Sequence, residues 1–98
     1  MEKVLFLIMS GEKDKEKANL GLNISARSHQ NHRYEDVKVL LYGESEDYVT
    51  KIKDEKAAEA FKYLTDNKLI DSACIYIAKM YNIEDSLKNL SVSLEPAG

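Results

Sequence analysis

The stretch KVLFLIMS, residues 3–10, decides the fold. It is an apolar run of strand length, closed by Ser10 and Gly11, and an uninterrupted run of that kind reads as a strand buried on both faces, which favours a parallel sheet covered by helices. Val4 to Met9 is too short for a signal-peptide core or a membrane span, so no membrane role is expected. Beyond it the period changes. Ala18, Gly21, Leu22, Ser25, Ala26 and His29 recur at three- and four-residue steps, predicting a helix from about Lys13 to His32. Small Ala18 and Gly21 on its inner stripe let that helix lie close to the sheet. DVKVLLYG, residues 36–43, is the second strand, so the first third of the chain is a strand–helix–strand unit with a right-handed crossover.

The acidic segment ESEDY (44–48) comes next. Ala57, Phe61 and Leu64, flanked by Ala58 and Ala60, then mark a helix from about Glu55 to Asn67. KLIDSAC (68–74) is a short third strand, IYIAKMYN (75–82) a helix with Asn82 as its left-handed stop, and LSVSLEP (90–96) a last strand. The expected architecture is a single α/β domain over residues 1–98, a layered sandwich with a mainly parallel sheet and helices on both faces. No repeat, low-complexity tract or linker divides it.

The 98 residues carry 14 Lys and Arg against 17 Asp and Glu, a net charge of −3 with the two signs interleaved. No basic face is present to hold a phosphate backbone, so nucleic acid is not an expected partner. One cysteine cannot form an internal disulfide, which argues against a secreted scaffold and for a cytoplasmic protein. A domain of this size buries a limited share of its surface, so a homo-oligomer is expected.

Cys74, the single cysteine, stands at the exit of the third strand and the entry of a helix. Unpaired backbone N–H groups there stabilise a thiolate, the nucleophilic form, whereas free cysteine is also among the most buried residue types; reagent and core filler are both open readings. His29 and His32 have a spacing that can share a helix side, but two imidazoles do not close a zinc site and nothing nearby completes it, so no metal and no cofactor are expected. Ser10 and Gly11 form a strand-to-helix turn that could receive an anion, without the spacing of a nucleotide-binding loop. Gly43 and Glu44 open the acidic segment after the second strand, where ligands of open α/β sheets commonly sit; Glu44, Glu46 and Asp47 are there either as proton acceptors and cation ligands or as a solvated helix start. Tyr42, Tyr76 and Tyr81 suit core or interface packing. No nucleophile and base pair of a hydrolase is visible.

The segments KVLFLIMSGEKDKEKANLGLNISARSH, VKVLLYGES and ACIYIAKMYNI together resemble the DsrE/DsrF-like family, also called YchN-like. The likeness spans essentially the whole chain. In sulfur-relay members the active cysteine ends a strand, and a short helix follows that closes in a Gly-Ile or similar pair; Cys74 and Ile83 have that spacing here, with Asn82 in place of glycine. Family members typically continue with a further helix and strand. SLEPAG (93–98) resembles the entry to that helix, and a chain ending at Gly98 would expose an edge or an apolar face unless a neighbour covered it. The resemblance implies a homo-oligomer, trimer or hexamer, and a persulfide carried on Cys74 between a sulfur donor and an acceptor. The alternative is a non-catalytic oligomeric binding module in which Cys74 is structural.

Overall fold

Asp14 starts the first long helix: its carboxylate accepts the backbone N–H of Lys17 at 3.2 Å, satisfying one of the free donors of the first turn. The computed structural model describes residues 2–96. Within them the chain runs β1 (Lys3–Ile8), a 3-10 turn (Glu12–Asp14), α1 (Lys15–Gln30), β2 (Asp36–Leu41), α2 (Glu44–Tyr48), α3 (Glu55–Asp66), β3 (Ile70–Cys74), α4 (Ile75–Tyr81), α5 (Glu84–Asn89) and β4 (Leu94–Glu95). The last expected strand shrinks to two residues, and the expected helix entry at 93–98 runs partly outside the described residues. Asp54 caps α3 by accepting the Ala57 N–H at 2.9 Å. The acidic segment becomes a helix of its own, and α5 is a second helix with no counterpart in the apolar pattern.

The sheet is parallel throughout, in the order β1-β2-β3-β4. β1 and β2 run in register from Lys3 opposite Asp36 to Ile8 opposite Leu41, and the β2–β3 register shifts between Val39 and Leu40. This is the layered α/β domain with a parallel sheet that the sequence predicts. Its two faces differ. With the right-handed crossovers that parallel strands take, sequential strand order puts every connection on the same face. Val39 and Leu41 are buried on that face in one cluster with Leu22, Ala26, Phe61, Leu64, Ile83 and Leu87, and Val37 is buried on the same face. Successive strand residues point to opposite faces, and on the other one Leu5 and Leu7 remain 58% and 55% exposed. The expected burial of β1 on both sides, and the expected helices on the second face, are thus not supplied by residues 2–96.

Gly21 does bring α1 close to β1, since a Cβ built on it would lie 3.2 Å from the Ile8 side chain. At the end of α4, Asn82 takes φ 56°, ψ 42°, the left-handed stop read from the sequence. Asn82→Gly is expected to leave stability nearly unchanged, whereas Asn82→Val, whose branched Cβ clashes in that conformation, should cost about 1–2 kcal/mol in urea denaturation.

Candidate functional site

Three strand ends meet at the C-terminal edge of the sheet, and α2 holds them together. The chain leaves β2 through Tyr42 and turns at Gly43, whose φ of 81° favours glycine, directly into α2. The Ser45 hydroxyl, fully buried, donates to the carbonyl of Ile8 at the end of β1 at 2.5 Å and accepts the Tyr42 N–H at 3.1 Å. One residue on, Glu46 is also fully buried. Its Oε2 accepts the N–H of Gly43 at 3.3 Å and of Cys74 at 3.2 Å, tying α2 to the end of β3. Tyr48 anchors the same helix to α1 by donating to Asn19 Oδ1 at 2.6 Å.

Glu46 Oε1 is out of contact with solvent and has no hydrogen-bond partner among the described residues. Burial pushes the carboxyl from the ordinary 4.5 up to about 7, against the opposing pull of the Gly43 and Cys74 N–H groups. The lysines of the adjoining segments pair with other carboxylates: Lys13 with Glu44 at 3.6 Å, Lys51 with Asp47 at 2.9 Å and Lys15 with Glu12 at 3.3 Å.

Cys74 is a free thiol, 4% exposed. By strand alternation it shares the open sheet face with Ser72 rather than the core face with Ala73. It lines a cavity of 510 Å³ there with Leu7, Met9, Leu40, Tyr42 and Pro96. Among the described residues its side chain makes no capping bond to α4, and its own backbone N–H goes to the Glu46 carboxyl.

The other expected site residues separate from this cavity. Gly11 is buried against the backbone of Glu44, and the Glu44 side chain turns outward to Lys13. Gly43 is linked to the Cys74 backbone N–H through Glu46, and Ser10 is partly exposed beyond β1. The two histidines part company: His29 Nδ1 is 2.6 Å from the Tyr63 hydroxyl, linking α1 to α3, while His32 lies past the helix end with φ 53°. No cluster of three metal-ligating side chains occurs among the described residues. Tyr42, Tyr76 and Tyr81 are surface residues, not core. No helix of the described residues is long and apolar enough to cross a membrane.

Sequence reasoning grouped Glu46 with its acidic neighbours and did not single out Ser45. A usable signal was present in Gly43 and Glu46 as a helix-start residue followed three positions later by glutamate, the spacing that lets a carboxyl reach back to a backbone N–H.

No protein-family model matches the chain, and no curated protein does. Among solved structures, a conserved protein of unknown function from Bacteroides thetaiotaomicron matches with a TM-score of 0.79, covering 99% of this chain and 81% of that one. At 16% identity the match shows a shared fold and leaves the chemistry to the residues themselves.

Proposed function

We propose that this chain is a small oligomeric sulfur carrier of the DsrE-like kind, acting in the cytoplasm through Cys74. The observation that carries the reading is the placement of the thiol: it lines a cavity at the C-terminal edge of a parallel sheet, where ligands of such sheets commonly bind, and the cavity has largely apolar walls. The step is redox-neutral. The Cys74 sulfur bonds to the outer sulfur of a donor persulfide, the sulfur–sulfur bond in the donor breaks, the donor leaves as a thiol, and an acceptor thiol later repeats the exchange on the Cys74 persulfide. Leu7 and Met9, exposed in the wall of the cavity, and Leu5, exposed on the same sheet face, support assembly into a homo-oligomer that covers them.

Incubation with an alkyl persulfide followed by intact-mass measurement is expected to add one sulfur atom to the wild-type chain and none to Cys74→Ser. Absence of added sulfur on the wild type, or equal addition to both, sinks the reading. The 4% exposure of Cys74 favours the other reading, a binding module with a structural cysteine. A thiol that a neutral alkylating reagent reaches no faster in the folded chain than in the unfolded one decides for that alternative.

A further inference from the structure

The two edges of the sheet are built differently. β4 is two residues long and is followed by Pro96, which has no N–H to offer a further strand. β1, at the other edge, is six residues long, contains no proline and runs beside β2 from Lys3 to Ile8 without a bulge. Its one charge, Lys3, stands at the first position. A short strand, a proline, a bulge or a central charge is what keeps other chains off an edge, and β1 has none of them.

The direction of its free backbone groups follows from the bonds on its other side. The Ile8 carbonyl accepts the Tyr42 N–H, so Ile8 faces β2, and alternation turns Phe6 and Val4 the same way. The N–H and C=O groups of Lys3, Leu5 and Leu7 therefore point to the open edge, where no strand of the described residues pairs with them.

We propose that β1 pairs antiparallel with β1 of a second copy of this chain about a two-fold axis at Leu5, joining the two sheets into one. The proposal rests on the homo-oligomer part of the reading above and not on its sulfur chemistry. Centred there, every outward group of the strand is used: Leu5 exchanges two hydrogen bonds with its counterpart, and Lys3 of each copy exchanges two with Leu7 of the other. The side chains agree with the same register. On the open face the exposed Leu5 side chains meet each other, and Leu7 lies against the aliphatic stem of Lys3. On the core face Phe6 and Val4, both only partly covered within one chain, stand opposite each other as a favoured aromatic and β-branched pair. The two Lys3 charges come to lie four residues apart, roughly 14 Å along the strands and beyond the screening length of about 8–10 Å. An axis at Lys3 would oppose the two lysines directly, and an axis at Leu7 would carry the bonds onto Met9, outside the strand. The pairing also reaches the Cys74 cavity. Leu7 lines it and no lysine or arginine does, so Lys3 of the second copy, beside Leu7, brings a cation to its rim.

The test is sedimentation of the full chain together with hydrogen exchange read residue by residue. The wild type is expected to form an assembly with an even number of copies, in which the Lys3, Leu5 and Leu7 amides are protected as well as those of Val4, Phe6 and Ile8 that β2 holds. Leu5→Pro removes an outward N–H and leaves the bonds to β2 in place. It should sediment as a monomer, with Lys3 and Leu7 exchanging at least roughly tenfold faster than in the wild type and Val4, Phe6 and Ile8 still protected. Tyr42→Lys, which charges the open face away from the edge, should stay assembled. A wild type that remains a monomer overturns both the pairing and the homo-oligomer reading, and leaves the persulfide measurement to decide the sulfur chemistry by itself. An assembly with an odd number of copies, or one in which the Lys3, Leu5 and Leu7 amides exchange as freely as unbonded ones, overturns the edge pairing and keeps the homo-oligomer. Should Leu5→Pro not fold, the wild-type exchange at those three amides decides.

Discussion

Wild-type stability is expected to fall as pH rises from about 5 to about 8.5, while Glu46→Gln stays level across the same window. The sign follows from the direction of the shift. In the unfolded chain Glu46 releases its proton around the ordinary 4.5; in the folded chain burial holds it until about 7. Between those values the native state carries a proton that the unfolded state lacks, so raising the pH favours unfolding. The stabilisation is complete below the lower value and is lost as pH passes through the upper one. A displacement of that size, net of the pull of the two N–H donors, corresponds to about 3 kcal/mol. Glutamine has the shape and neutrality of the protonated acid and does not titrate, which is why its curve should be flat. Urea midpoints at the two ends of the window measure the effect, and parallel slopes for the two proteins would mean that Glu46 is not the group responsible.

That behaviour was not legible in the sequence, for a definite reason. The acidic pentapeptide 44–48 has no apolar stripe, and a helix this short has no period to detect; the burial of Ser45 and Glu46 comes from the three strand ends that close around them. The longer elements were legible because their signals are local. Asp14 and Asp54 cap their helices, apolar residues recur at helical steps through α1 and α3, and Asn82 stops α4 in the left-handed conformation. Cys74 was found at its strand-to-helix position, but that it faces the open side of the sheet depends on the β2–β3 register, with Leu40 opposite Ser72. The run at β1 illustrates the opposite limit. Its continuous apolar character predicts two buried faces, and residues 2–96 bury one. An apolar pattern records that a residue seeks cover, and it does not name the segment or the neighbouring molecule that provides it.

Gly11→Ala is expected to cost about 2–3 kcal/mol and to loosen the Glu46–Cys74 contact, although Gly11 touches neither side chain in the way a ligand would. A Cβ at Gly11 would stand 2.5 Å from the carbonyl oxygen of Glu44, 2.7 Å from its carbonyl carbon and 2.8 Å from its Cβ. These atoms belong to the first turn of α2, so no rotamer change relieves the clash. The helix must back away, taking Ser45 off the Ile8 carbonyl and Glu46 off the Cys74 N–H. Gly21→Ala supplies the comparison. Its Cβ would meet the Ile8 side chain at 3.2 Å, a contact that side chain can yield to, and alanine regains about 1 kcal/mol of helix propensity, so the two terms nearly cancel. Urea denaturation of both variants gives the stabilities, and hydrogen exchange at the Cys74 amide reports the contact, since that N–H is sheltered only while the Glu46 carboxyl accepts it. Faster exchange at Cys74 in Gly11→Ala but not in Gly21→Ala locates the damage at α2. Equal exchange in the two would mean that Gly11 does not position the Glu46 carboxyl on the Cys74 N–H.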